Sequence, residues 1–393
     1  MSRVLVISAP FSGHVNPPLP LVAELVSRGH DVGFINTQKW KNKIEDVGAK
    51  FIPYSDFPEN LSQLQELKRC FLGAYNAALL LQEHYDLLIY DSFLYHGKSI
   101  ADKLGIPSIR LMLTPPWNDK AITESKKDPK RRKLYNKAMR EYGILDKFAL
   151  SKKAKIQMGI KNKNLISAVL YDTAELNIVY VAEAFQPFRD TFDERFIFSI
   201  PEIENTRKID INIPYGEMKA PIIYISLGSM IKSKAFLRKC IKAFGNKEMT
   251  IILSCGGLDP GKLGNLPDNI YAYSFVPQLE VLQHVDLFFT HGGMNSVNEA
   301  IFYGVPMLVK PVINDQPVNA LRVEELQIGK QITGLTFLCS AKKIYMKTME
   351  VLNDSFIKAN AKKIMNKART DIGVSGVADK VEKVLQKYKL TQS

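Results

Sequence analysis

Short apolar runs alternate with helically spaced stretches along this chain, in two series separated by a polar stretch. In the first series Arg3–Ala9, Asp31–Thr37, Lys50–Tyr54, Tyr85–Tyr90 and Pro107–Leu113 read as strands. Pro18–Arg28, Leu61–Glu83 and His96–Leu104 read as helices between them, and Glu175–Val181 and Arg195–Ile200 add further strands. The second series places strands at Pro221–Ser226, Thr250–Ser254, Ile270–Phe275, Leu287–Thr290 and Pro306–Lys310. Continuous apolar strands joined by helices belong to parallel sheets covered on both faces. A chain of 393 residues exceeds one ordinary core, so each series is expected to close its own unit. The expected fold class is therefore α/β, with two doubly wound Rossmann-like domains facing a central cleft and ligands held beyond the carboxyl ends of the strands. The expected division is 1–205, a linker at 206–220 carrying Pro214 and Gly216, and a second domain at 221–372. The segment 373–393 holds the amphipathic run Val374–Lys389, able to pack back on the first domain.

Several classes are disfavoured by composition. No stretch approaches the roughly 20 apolar residues that span a bilayer. The N-terminal run Val4–Ile7 is broken by Ser8, Pro10 and Gly13, which reads as a buried strand rather than a signal peptide. Cys70, Cys240, Cys255 and Cys339 are scattered without CxxC spacing, so neither a disulfide framework nor a zinc site is expected, and a cytoplasmic location follows. Neither half contains G-x-G-x-x-G or a Walker A sequence, which leaves nicotinamide and ATP readings without a motif. The net charge is +13, and between Asn118 and Leu165 stand 15 Lys or Arg against 5 Asp or Glu. Charge gathered in one segment argues for a local basic surface and against a nucleic-acid partner. The stretch 126–163 is a solvated helical face, or it meets a membrane surface or an acidic acceptor. Each cation near an anionic bilayer contributes on the order of 1 kcal/mol.

The densest chemical pattern is in the second half. It runs Phe275-Val276-Pro277-Gln278, then Thr290-His291-Gly292-Gly293-Met294-Asn295-Ser296-Val297-Asn298-Glu299-Ala300, then Gly304-Val305-Pro306, then Asn314-Asp315-Gln316-Pro317-Val318-Asn319-Ala320. A strand ending at His291, two glycines and a helix beginning near Asn295 make an anion site suited to a pyrophosphate. A carboxylate at Glu299, close to such a site, is reasonable where it accepts hydrogen bonds from the vicinal hydroxyls of a ribose. In the first half, Ser12-Gly13-His14-Val15-Asn16-Pro17 follows the first strand and opens the first helix, and Asp91 ends the strand Tyr85–Tyr90.

The second-half pattern resembles the donor site of the UDP-glycosyltransferases, including their plant, animal and bacterial macrolide types, and the resemblance runs through the whole C-terminal half. It implies a GT-B fold and a UDP-sugar donor, with no cofactor besides. It implies that Phe275, with Val276, meets the uracil, and that Gln278 and Glu299 hold the ribose. His291, Gly293, Asn295 and Ser296 would hold the phosphates, with help from Gly13, Gly228 and Ser229. Asp315 and Gln316 would bind the sugar hydroxyls. The plant pattern has Trp where Phe275 and Met294 stand. The resemblance further implies that His14 is a general base and Asp91 its partner.

On that basis the expected reaction is inverting transfer of a hexose, UDP-glucose favoured, to a hydroxyl of a small hydrophobic acceptor such as a macrolide, phenol or other natural product. The chain contains no Asp-x-Asp, so no metal is expected to hold the diphosphate. The alternatives are a membrane-associated lipid glycosyltransferase at the inner membrane face, a nucleotide-sugar epimerase, and a catalytically silent nucleotide-sugar-binding subunit. The His14–Asp91 pair disfavours the last two. His30 reads as a turn residue, His84, His96 and His284 carry no motif, and Trp40 and Trp117 read as packing residues.

Overall fold

The first strand, β1 (Arg3–Ile7), is RVLVI, and every residue after Arg3 is buried. The sheet built on it adds β2 (Asp31–Asn36), β3 (Lys50–Pro53), β4 (Leu87–Asp91), β5 (Ser108–Met112), β6 (Leu176–Val179) and β7 (Phe196–Phe198). A second sheet comprises β8 (Ile222–Ser226), β9 (Thr250–Ser254), β10 (Ile270–Tyr273), β11 (Leu287–Thr290), β12 (Met307–Val309) and β13 (Gly329–Gln331). The computed structural model describes residues 1–160, 164–172, 174–201, 211–228, 233–334 and 339–392. The chain divides into two units, Met1–Glu202 with Asp371–Ser393, and Ile203–Thr370. Of the polar stretch at 206–220, residues 206–210 lie outside the described residues. Asp371 and Ile372 fall with the first unit rather than with the second.

The strand order in the first unit is β3-β2-β1-β4-β5-β6-β7, and every pair is parallel. The chain winds outward from β1 in one direction, then returns to lay β4 on the other side of β1. A sheet that reverses in this way opens a crevice at the carboxyl ends of the two central strands. Ile7 of β1 pairs with Tyr90 of β4, so the turn after β1 and Asp91 share that end of the sheet. The second unit repeats the device in the order β10-β9-β8-β11-β12-β13. Ser226 of β8 pairs with Thr290 of β11, which brings the Gly228 and Gly292 turns to one end of that sheet.

One face of the first sheet packs on the helix Gln63–Leu79, with Cys70, Phe71, Ala74 and Tyr75 buried against Leu5, Ile7, Leu88 and Tyr90. The other face packs on the helix Leu19–Ser27 and on the C-terminal helix Val374–Gln392, through Leu21, Val22, Leu25, Val377, Ala378, Val381 and Leu385. Polar contacts reinforce this last seat. Arg28 reaches Asp379 at 2.7 Å and Glu382 at 3.1 Å, and His30 meets Glu382 at 3.1 Å.

The basic segment is more regular than its sequence suggests. It folds into Asp119–Lys127, Pro129–Ala149, Lys152–Gln157 and Leu165–Tyr171. Asn118, Asp128, Ser151 and Asn164 each accept the N–H three residues on, at 2.8, 2.8, 3.1 and 2.8 Å. These are N-caps, each satisfying a donor that the helix leaves unpaired. Asp146 fastens the segment to the unit by accepting from Tyr95 Oη at 3.0 Å, the Leu165 amide at 3.1 Å and Lys155 Nζ at 2.6 Å.

Candidate active site

His14 occupies the short helix Ser12–Val15 that begins five residues after β1, with Gly13 in the same turn. Its Nδ1 stands 2.7 Å from Asp91 Oδ2. Asp91, the last residue of β4, is 1% exposed. Its carboxylate is held in place by the backbone, Oδ2 accepting the Ala9 amide at 3.1 Å and Oδ1 the Phe93 amide at 2.9 Å. A carboxylate at Nδ1 selects the tautomer with the proton on Nδ1 and leaves the lone pair on Nε2. Phe11 and Phe93 flank the imidazole, with ring centroids 6.0 and 5.3 Å away. The ring is thus fixed on one edge by charge and on its sides by aromatic contact.

In the second unit, Gly292 has φ +86° and Gly293 is the N-cap of the helix Met294–Tyr303. A Cβ at Gly292 would lie 2.6 Å from Val309 Cγ1, so this turn needs glycine for both its dihedral and its space. Gly293 brings no side-chain cap to the helix, and no acidic residue sits in its first turn. Its free amides and positive dipole end therefore suit an anion, with Asn295 and Ser296 partly exposed in that turn. The His291 ring lies between two glycines. A Cβ at Gly228 would be 2.8 Å from its Cε1, and one at Gly293 would be 2.7 Å from its Nε2. Burial pushes this imidazole down to about 4, so it is neutral at ordinary pH. Its Nδ1 is buried without a hydrogen-bond partner among the described residues.

A second cluster faces the same helix. Gln278 Oε1 accepts from Tyr224 Oη at 2.9 Å, and Gln278 Nε2 donates to Ser296 Oγ at 3.2 Å and to Glu299 Oε2 in a short contact. Tyr224 is itself held by stacking on Phe288, with ring centroids 4.8 Å apart. The Glu299 carboxylate is therefore oriented through Gln278 by a buried strand residue that carries no motif. Phe275 is 47% exposed and lies over Gly257, where a Cβ would meet its Cζ at 3.0 Å. Val276 has a buried side chain, so only its backbone can reach a ligand.

The third cluster joins β11 to the helix Gln316–Glu325. Asp315 caps that helix, and its Oδ2 accepts from Asn319 Nδ2 at 2.8 Å. Gln316 is tied down: its Oε1 accepts the Val312 and Ile313 amides at 2.9 and 3.1 Å, so this oxygen shapes the loop before the helix. Ser229 lies outside the described residues. Of the residues singled out in sequence, the structure brings together His14 with Asp91, then Gly228 with His291 and Gly293, then Gln278 with Ser296 and Glu299. Sequence reasoning missed Tyr224 and quoted Asn319 within its pattern without assigning it a role. Tyr224 has no readable signal, whereas Asn319, four residues after Asp315 on a helix, falls at the spacing where side chains meet. Among the described residues, no group of three or more His, Cys, Asp or Glu could hold a metal ion.

Known proteins resemble this chain in sequence and fold. A family profile described as UDP-glucoronosyl and UDP-glucosyl transferase matches residues 214–371. The NDP-glycosyltransferase YjiC of Bacillus licheniformis is 31% identical over 353 residues, 84% of this chain and 85% of that protein. Among solved structures, the glycotransferase of kitacinnamycin has a TM-score of 0.78 at 28% identity, covering 98% of this chain and 99% of its own. CalG4, the calicheamicin glycosyltransferase, has a TM-score of 0.77 at 25% identity, covering 98% of each chain. Two Rossmann-like parallel-sheet domains in this pattern are the GT-B architecture, and the molecule is a glycosyltransferase enzyme of that class. The chain belongs to the UDP-glucoronosyl and UDP-glucosyl transferase family, on its bacterial macrolide-transferase side.

Proposed function

We propose that this enzyme transfers a hexose from a UDP-sugar, with UDP-glucose favoured, to a hydroxyl of a small hydrophobic natural product, with inversion and without a metal. The observation that carries the reading is the His14–Asp91 pair at 2.7 Å on a strand-end turn. Neutral His14 takes the acceptor's proton on Nε2 as the acceptor oxygen bonds to the anomeric carbon. The bond from that carbon to the diphosphate oxygen breaks on the opposite side, so the anomeric centre inverts and UDP leaves. Asp91 stabilises the imidazolium that forms. The charge gathering on the departing diphosphate is met by the uncapped helix at Met294 and by His291. Glu299 and Gln278 hold the ribose, Phe275 stacks on the base with the Val276 backbone beside it, and Asp315 and Gln316 bind the hexose. The 1–205 portion supplies the acceptor side and 221–372 the donor side. The solved relatives named for kitacinnamycin and calicheamicin support a natural-product acceptor.

The test is transfer from UDP-glucose, UDP-galactose, UDP-N-acetylglucosamine and dTDP-glucose to a panel of macrolides, phenols and aliphatic alcohols, with excess chelator present. The expected result is best transfer from UDP-glucose, unchanged by chelator, with a β-linked product by NMR. A retained α-linkage, or activity that only a divalent metal restores, overturns the reading.

A second reading is favoured by one observation in the basic segment. On the helix Pro129–Ala149, Lys130, Lys133, Lys137, Arg140, Ile144 and Lys147 are all exposed, and their spacing of three and four puts them on one stripe. Tyr142 and Leu145, on the other side, pack against the core. A basic stripe interrupted by an isoleucine suits peripheral contact with an anionic bilayer from the cytoplasmic side. Among the described residues, no helix is long and apolar enough to cross a membrane.

A further inference from the structure

Asn319 is fully buried in the helix Gln316–Glu325. Its Nδ2 donates to the Gly292 carbonyl at 2.9 Å and to Asp315 Oδ2 at 2.8 Å. Both partners are acceptors, so the amide has one workable orientation: reversed, it would set its oxygen against two oxygens. In that orientation Oδ1 is buried with no hydrogen-bond partner among the described residues. An unpaired buried carbonyl costs stability. The fold therefore keeps an asparagine here at some cost, when an apolar side chain would leave nothing unsatisfied at this atom.

The two groups that Asn319 joins belong to different parts of the donor site. Gly292 opens the turn before the helix Met294–Tyr303, and only its carbonyl direction is left to be set once Val309 has excluded a side chain. The Gly292 amide is held separately, donating to Thr290 Oγ1 at 3.2 Å. Asp315 stands at the head of the next helix, after a loop that Gln316 has tied down. One side-chain nitrogen thus fixes the phosphate turn and aims the carboxylate beyond it.

We propose that Asn319 is a positioning residue that sets hexose selectivity by coupling the Gly292 turn to Asp315, without touching the donor itself. The proposal rests on the donor-site reading above. A carboxylate discriminates epimers only when its oxygens are held in place, because selectivity is a difference between two binding energies. Without Asn319 the Asp315 carboxylate loses one of the contacts that hold it and discriminates less between the epimers.

The experiment compares KM and kcat for UDP-glucose and UDP-galactose, and calorimetric affinity for UDP, in the parent and in Asn319→Ala, Asn319→Leu, Asp315→Ala and the Asn319→Ala/Asp315→Ala double variant. Asn319→Leu keeps the volume and removes the donor without burying a charge, so it serves if the alanine variant does not fold. Both Asn319 variants are expected to raise KM for UDP-glucose about tenfold, the scale of one lost charge-assisted hydrogen bond. The ratio of kcat/KM between the two sugars should fall toward one by a similar factor, with UDP affinity changed less than about threefold. In the double variant, Asn319→Ala should remove no selectivity beyond what Asp315→Ala removes, as for residues acting through one contact. Parental selectivity in the Asn319 variants, or a full additional loss in the double variant, overturns the coupling. An unchanged sugar ratio in Asp315→Ala instead overturns the donor reading beneath it, and that single variant separates the two failures.

Discussion

His14 Nδ1 and Asp91 Oδ2 stand 2.7 Å apart although 77 residues separate them in the chain. The carboxylate accepts two backbone amides besides, so it cannot follow the ring if the ring moves. General-base catalysis contributes about 100- to 10,000-fold, and His14→Ala is expected to lose that much turnover on an aliphatic alcohol, with UDP affinity retained. An acidic phenol, already partly ionised, should lose less. Asp91→Asn should fall between the parent and His14→Ala. Parental turnover of His14→Ala on the alcohol rejects the assignment.

On the proposed function, Glu299 acts on the ground state. A carboxylate that only holds ribose hydroxyls binds substrate and transition state alike, so Glu299→Ala should raise KM and spare kcat. Loss of charge-assisted hydrogen bonds costs roughly 1.5–3 kcal/mol, which predicts UDP binding weakened about tenfold or more. Tyr224→Phe, which frees Gln278 Oε1 without touching Glu299, should show a smaller change of the same kind. Calorimetry with UDP decides both, and unchanged affinity in Glu299→Ala removes the ribose assignment.

His96 gives the first unit a pH dependence of known sign. It is fully buried among Phe71 and Tyr75, with no partner at either ring nitrogen among the described residues, and burial lowers its pKa from 6.5 to about 4. Between those values the unfolded chain takes up a proton that the folded unit refuses, so stability falls as the pH drops. The slope from one such group is at most about 1.4 kcal/mol per pH unit. His96→Phe should melt at or above the parent temperature at pH 7 and lose less on going to pH 4.5. Parallel melting curves for parent and variant across that range would refute the claim.

The exposed stripe on Pro129–Ala149 is testable apart from the chemistry. Lys133→Glu, Lys137→Glu and Arg140→Glu together should abolish co-sedimentation with vesicles rich in phosphatidylserine, leaving transfer to a soluble phenol at the parental rate. Binding by the parent should weaken as salt is raised, because exposed charges are screened within about 10 Å at 0.1 M. Equal sedimentation of parent and variant returns the stripe to an ordinary solvated face.

Much of this fold was legible because parallel strands are buried on both faces and read as unbroken apolar runs. Thr250–Ser254 and Leu287–Thr290 begin and end where the sequence places them. β13 escaped notice, since Gly329-Lys330-Gln331 has no apolar residue and becomes a strand only by pairing with β12. The basic segment read as a helical face without helix bounds, because its helices carry charge on most faces and are started by caps rather than by apolar periodicity. The turn around His291 was readable because its positive φ and tight packing need glycine at fixed places. The orientation of Gln278 by Tyr224 was not, because it arises between residues 54 apart that meet only in the folded sheet.

The seat of the Val374–Gln392 helix bears on how the protein is made. Its Val377, Ala378, Val381 and Leu385 complete the core under β1 and Leu19–Ser27, yet they leave the ribosome after the whole of the second unit. The half carrying His14 cannot finish folding until residues 374–392 have emerged, whereas the half carrying His291 has all of its chain sooner. Nascent chains ending at residue 370 and held clear of the ribosome by a flexible linker should therefore protect the second unit from protease and leave the first open to digestion. A first unit already resistant at that point would mean that the helix is an accessory to its core rather than a part of it.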